Sequence, residues 1–156
     1  MLFKQTRVGK DEKRFTCYKF RSMHENSHFD PYTQDKDKRV FPYGNFMRKS
    51  RIDEIPQLWN ILKGDMHLIG PRAEWDILVE EYEQKIPHYH NRHAVRPGIT
   101  GLAQVRYPYG RNITDTKNKL KYDMFYIQNW SFWLELKIIW MTVMVVLGRR
   151  GLTTVK

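Results

Sequence analysis

The most apolar stretch of this chain, Leu136–Leu147, is twelve residues long and follows Glu135, which limits the architectures open to it. A helix needs roughly 20 apolar residues to cross a bilayer, so a spanning segment is not favoured. Extended back to Phe132, the stretch reads as one helix that is apolar nearly all round. Such a helix either packs inside a domain or lies against lipid. Trp130, Phe132, Trp133 and Trp140 suit the headgroup level of a membrane, and Arg149 and Arg150 suit anionic lipid. The residues alone leave burial and lipid contact evenly balanced.

A second constraint sits in mid-chain, at Asp53-Glu54-Ile55-Pro56. Proline inside a helix lacks an N–H and clashes with the preceding turn, but in the first turn it does neither. A helix over Asp53–Lys63, closed by Gly64, therefore has Asp53 at or next to its N-cap. Helix N-termini carry unpaired N–H groups and favour anions. Adjacent carboxylates in such a place can bind a divalent metal, act as nucleophile or handle protons. The plainer reading is a capping box over Ser50–Asp53, with Glu54 favouring the helix dipole. Taken alone, the pair favours the plainer reading.

Around these constraints the rest can be placed. Leu2–Val8 and Arg14–Arg21, joined through Gly9, read as a β-hairpin. His24–Arg39 is polar and turn-rich, a loop expected beside the site. Gly70-Pro71 and Val95–Gly101 are turns, Leu102–Arg106 an extended segment, and helices are expected near Trp75–Gln84, Asp115–Gln128 and Phe132–Leu147. The 156 residues suit one domain with a core of its own.

Lys and Arg number 27 against 17 Asp and Glu, a formal charge of +10. That surplus favours a polyanionic partner: nucleic acid, an anionic lipid surface or a phosphorylated substrate. The single cysteine, Cys17, excludes an internal disulfide framework. Cys17 with His24 and His28, and His88 and His90 with His93, lack the complete four-ligand spacing of structural zinc sites. Asn112-Ile113-Thr114 fits the pattern of a glycosylation acceptor.

Several strings change the balance at Asp53. Tyr18-Lys19-Phe20-Arg21-Ser22-Met23, Asp53-Glu54-Ile55-Pro56-Gln57-Leu58-Trp59-Asn60, Lys63-Gly64-Asp65-Met66, Gly70-Pro71-Arg72, Arg96-Pro97-Gly98-Ile99-Thr100-Gly101-Leu102-Ala103-Gln104 and Tyr122-Asp123 with Tyr126-Ile127 occur in this order. Together they resemble the bacterial sugar transferase family, the monotopic phosphoglycosyl transferases, over nearly the whole chain. Ala73 stands where the family often has proline. After Gln104-Val105, Arg106-Tyr107-Pro108-Tyr109-Gly110-Arg111 replaces a common Gly-Arg pair and resembles the exopolysaccharide-priming branch.

The resemblance implies an α+β fold, mainly helical, with an N-terminal hairpin and amphipathic interfacial helices. Residues 1–156 would form one catalytic domain, truncated at its N-terminus, since family members carry a re-entrant membrane helix upstream of the segment matching Leu2–Arg7. It implies transfer of a sugar-1-phosphate from a UDP-sugar to undecaprenyl phosphate through a covalent aspartyl intermediate. Asp53 would be nucleophile and Mg²⁺ contact, and Glu54 its acidic partner at the metal. Lys19, Arg21, Arg72 and Asp123 would serve the phosphates and nucleotide, with Arg106 favoured over Arg111 for the nucleotide. The setting implied is the cytoplasmic face of the bacterial inner membrane, against an anionic surface. No nucleic-acid partner is expected, and a homodimer is left open. The alternatives are a basic nucleic-acid-binding module, with Phe15, Tyr18 and Phe20 stacking on bases, or an inactive membrane-surface fragment of the same family.

Overall fold

The computed structural model describes residues 1–24, 37–107 and 112–148. Arg111, His28, Arg149 and Arg150, and most of the loop expected over His24–Arg39, lie outside the described residues. The two ends of that loop do meet: Met23 bridges to Val40, and the His24 N–H donates to the Arg39 carbonyl at 2.9 Å.

β1 (Leu2–Val8) and β2 (Arg14–Phe20) pair antiparallel from Leu2↔Phe20 to Val8↔Arg14, as the sequence led us to expect. The turn between them is a short 3-10 segment, Lys10–Glu12, in which Asp11 (φ 53°) and Glu12 (φ 59°) take left-handed backbone. A helix the sequence reading did not include, α1 (Pro42–Lys49), follows, with proline in its first turn. A 3-10 turn, Ile52–Glu54, then leads into α2 (Gln57–Leu62).

Two short strands appear, one in a stretch given no element and one inside the turn read over Val95–Gly101. β3 (His67–Ile69) and β4 (Gly98–Thr100) form a small parallel sheet, with α3 (Asp76–Lys85) and a 3-10 segment, Tyr89–Ala94, between them. The sheet escaped notice because each strand is three residues long and bounded by glycine and proline. Gly70, Gly98 and Gly101 let the two backbones close on each other; a Cβ on any of them would collide with main-chain atoms. Leu102–Arg106, expected as extended chain, is instead a short helix, α4. Its apolar Leu102, Ala103 and Val105 all face inward, a pattern that short runs do not distinguish from a buried strand.

α5 (Ile113–Gln128) starts at Asn112, whose side chain accepts from the Asp115 N–H at 2.8 Å; the sequon asparagine is an N-cap. α6 (Phe132–Val146) is capped by Ser131 in the same way. The core has two parts. Val8, Leu78, Val79, Tyr82, Ile86 and Tyr89 join the hairpin end to α3, and Ile69, Leu102, Val105, Tyr126, Ile138 and Met141 join α4, α5 and α6 to the sheet. His93 packs edge-on to Tyr89 at 6.0 Å in the first region, where burial, then the charges of Arg92 and His90, hold its pKa down to about 4.

α6 resolves the balance left open by its sequence. Ile138 and Met141 are buried, yet Phe132, Trp133, Trp140 and Val143 are each at least half exposed. Helix α2 likewise leaves Leu58, Trp59 and Leu62 in solvent. Among the described residues no helix is long and apolar enough to cross a membrane.

Candidate active site

Asp53 sits in a turn whose geometry differs from the helix N-cap expected. The Glu54 and Ile55 N–H groups donate three residues back, to Arg51 and Ile52, and Leu58 and Trp59 continue the pattern to Ile55 and Pro56. Pro56 is the physical reason. Its ring nitrogen cannot supply the bond to Ile52 that an α-helix would require, so the chain tightens to 3-10. Pro56 itself is the N-cap of α2 (φ −61°). Arg51 enters the turn with φ 60°, a strained value for a side-chain-bearing residue. The capping box is absent too: the Ser50 hydroxyl donates back to the Phe46 and Met47 carbonyls, closing α1.

The turn presses both carboxylates inward, with Asp53 7% and Glu54 6% exposed. Glu54 is surrounded by cations. Lys19 Nζ from β2 lies 3.1 Å from Oε1, Arg72 Nη1 lies 3.4 Å from the same oxygen, and Arg51 Nη1 lies 3.3 Å from Oε2. Burial pushes the Glu54 pKa up, but Lys19, Arg72 and Arg51 outweigh it and hold the carboxyl well below the usual range. Lys19 pays for its position: burial, then Arg72 and Arg7, bring its pKa down to about 8.

Asp53 is the opposite case. Its Oδ1 is buried without a hydrogen-bond partner among the described residues, as is the side-chain nitrogen of Gln57 at the start of α2. Burial and the Glu54 charge raise its pKa, while Lys19, Arg48 and Arg51 pull it down. An unsatisfied buried polar group costs about 1–3 kcal/mol, and a native fold that keeps one usually does so for function. The oxygen is shielded from solvent and left without a protein partner among the described residues.

Arg72 is fixed by the sheet. Gly70 and Gly98 bring β3 and β4 together, and Arg72 itself bridges to Gly98. Beyond it lies a narrow cleft whose lining includes Arg72, Glu74, Arg92, Gln104, Lys119 and Asp123. Arg92 organises this side. Its guanidinium donates to Asp123 Oδ2 (3.0 Å), the Tyr89 hydroxyl (2.6 Å) and the Arg72 carbonyl (2.9 Å). Asp123 is buried against Arg92 on the wall of this cleft.

The structure thus brings Lys19, Arg72, Asp53 and Glu54 together. Arg21 lies just past β2, with its guanidinium 6.0 Å from the centre of the Phe3 ring. Arg106, at the last turn of α4, has no hydrogen bond or ion pair among the described residues and does not join the Glu54 cluster. Sequence reasoning missed Arg7, Arg48, Arg92 and Glu74. Arg7 donates to the Ala73 carbonyl, and Arg48 to the Ser22 hydroxyl at 3.0 Å. Burial raises the Glu74 pKa, but Arg72, Arg92, Lys119 and Arg7 together hold it low. No local pattern marks these four, because each works through a residue distant in sequence.

The model of the family described as bacterial sugar transferase matches residues 1–149. Among curated relatives, the UDP-N-acetylgalactosamine-undecaprenyl-phosphate N-acetylgalactosaminephosphotransferase of Aeromonas hydrophila is 48% identical over 97% of this chain and 36% of its own length. The UDP-glucose:undecaprenyl-phosphate glucose-1-phosphate transferase of Escherichia coli is 42% identical over 92% of this chain and 32% of its own. An uncharacterized sugar transferase of Bacillus subtilis is 41% identical over 97% of this chain and 72% of its own length. The chain spans about a third of the first two relatives. On the family match and on these identities, the chain belongs to the bacterial sugar transferase family.

Proposed function

We propose that the chain transfers a sugar-1-phosphate from a UDP-sugar to undecaprenyl phosphate, with Asp53 as the group that carries the sugar phosphate between them. The observation that carries this reading is the Asp53 carboxylate, buried with a free oxygen beside a cluster of Lys19, Arg51 and Arg72 held by Glu54. The relatives' names supply the substrate class.

In the first step an Asp53 oxygen attacks the β-phosphorus, and the bond from that phosphorus to the bridging oxygen breaks. UMP leaves with the electron pair, and the sugar-1-phosphate stays esterified to Asp53. A phosphate oxygen of undecaprenyl phosphate then attacks the same phosphorus, releasing the carboxylate and giving the lipid diphosphate sugar. Two anionic substrates repel each other, and the covalent route lets them visit in turn. Lys19 and Arg72 face the developing charge, and the Glu54 anchor keeps them in place before substrate arrives. Arg72 and Lys119, on the wall of the narrow cleft beyond, add positive charge for the phosphates of the donor.

The donor set fits Mg²⁺ at Asp53, since an unpartnered carboxylate oxygen is the hard ligand this ion takes alongside substrate phosphates. Both Glu54 oxygens are taken by cations, which shifts Glu54 from metal ligand to charge anchor. When bound, the ion offsets the charge of the reacting phosphoryl group.

The exposed Leu58, Trp59 and Leu62 of α2 and the exposed aromatics of α6 support docking at an anionic membrane surface, where the lipid acceptor resides. On this reading the reaction runs at the cytoplasmic face of the inner membrane, as an early step of exopolysaccharide, capsule or O-antigen assembly. The test is UMP release from a UDP-sugar by the full chain with Mg²⁺ and vesicles holding undecaprenyl phosphate. Continued turnover only with both substrates, and no more than about one UMP per chain when the lipid is left out, supports the reading; release at full rate from Asp53→Asn rejects it.

A further inference from the structure

A second cluster of potential ligands lies away from Asp53, at the tip of the hairpin. Glu12 in the turn, Glu83 on α3 and His93 in the 3-10 segment Tyr89–Ala94 each offer one ligand atom, all within 4.8 Å of one another. Three separate elements converge here. The two glutamates are exposed, and His93 is 6% exposed with both ring nitrogens unpartnered among the described residues.

Each member is left in an unfavourable state by the protein alone. Neither glutamate has a hydrogen bond or ion pair among the described residues, so two carboxylates face each other with no cation between them. The imidazole is buried without the hydrogen bond such a ring normally finds. Glu12 also holds a left-handed backbone, φ 59°, which turns the hairpin tip over α3 and His93. One cation would answer all of these at once: it takes the imidazole lone pair and neutralises the paired carboxylates.

We propose that Glu12, Glu83 and His93 form a binding site for a first-row divalent transition ion of the zinc class, which staples the hairpin turn to the helical core. The nitrogen ligand sets the class. Imidazole suits Zn²⁺ and its transition-metal neighbours, whereas Mg²⁺ prefers oxygen throughout. Three protein ligands leave water in the fourth position. A tetrahedral ion at about 2.1 Å from its ligands holds them roughly 3.4 Å apart, so the set must contract by up to about 1.4 Å. The two glutamates, on exposed side chains, can make that movement while His93 stays fixed in the core. The inference stands apart from the reading of Asp53, and neither depends on the other.

The experiment titrates Zn²⁺ calorimetrically into the full chain in excess Mg²⁺, which competes at sites built from oxygen ligands alone. A melting curve is recorded with and without zinc. Glu12→Gln and Glu83→Gln are the diagnostic variants, because both positions are exposed and both variants should fold; circular dichroism checks this. We expect one zinc per chain, a higher melting temperature with zinc, and an affinity at least about tenfold weaker in each variant. No zinc binding by the unaltered chain, or unchanged affinity in the double variant, overturns the site.

Discussion

The chain has two buried aspartates set among arginines, and they are built for different ends. Asp123 meets Arg92 through two contacts of 2.9 and 3.0 Å, and Arg92 is further tied to Tyr89 and to the Arg72 carbonyl. Asp53 keeps a buried oxygen with no partner among the described residues, while its neighbour Glu54 takes Lys19, Arg51 and Arg72. Burial raises the pKa of both aspartates. The matched carboxylate holds the cleft wall; the unmatched one is the group we propose to react.

The largest difference should appear on removing each in turn. Asp53→Asn is expected to lower UMP release by on the order of 10³-fold or more. It should leave the melting temperature unchanged or higher. The sign follows from the raised pKa: ionised Asp53 is disfavoured in the fold, so at neutral pH its charge costs stability that asparagine does not. Asp123→Ala is expected to do the reverse, costing about 3–5 kcal/mol in denaturant unfolding because it strands the Arg92 charge in the core. If Asp53→Asn destabilises as strongly as Asp123→Ala, the distinction between the two sites fails.

Glu54→Gln sharpens the contrast. Losing the anchor should lower kcat by about 10²-fold, comparable to removing a fixed transition-state donor, because Lys19 and Arg72 lose their common partner. Its depressed pKa gives a second readout. The stability that Glu54 contributes is present above 4.5, the ordinary glutamate value, and is lost as the pH falls through its lower folded value. The acid limb of the stability curve should therefore flatten in the variant. The smallest effect concerns Lys19. Its folded pKa of about 8 lies below the usual 10.5, so activity should decline as pH rises through about 8. Across that same window the unfolded chain binds more protons, and stability should rise with pH. Lys19→Arg should move the alkaline limb of kcat/KM upward; an unchanged limb would assign it to another group.

Legibility in the sequence followed the same division. The hairpin was readable because Gly9 and the β-formers of both strands sit within twenty residues of each other. α5 and α6 were readable from their length and periodicity. The 3-10 turn at Asp53 was not. Pro56 correctly forbade an interior α-helix position, but whether the chain before it caps a helix or tightens depends on Arg51 and the end of α1. The parallel sheet escaped because its pairing is set by three glycines that allow close approach, visible only once both segments are placed. At the site, Lys19, Arg72, Asp53 and Glu54 lay inside the family's strings. Arg92 did not, and its role exists only through Asp123, Tyr89 and the Arg72 carbonyl, all brought to it by tertiary packing.

The most direct measurement is peptide mass spectrometry of the full chain after incubation with a UDP-sugar and Mg²⁺, without any lipid acceptor. The peptide holding Asp53 should gain the mass of the sugar phosphate, in proportion to the UMP formed, and lose it when undecaprenyl phosphate is added. UMP formed with no such adduct, or an adduct on another residue, would contradict a covalent role for Asp53.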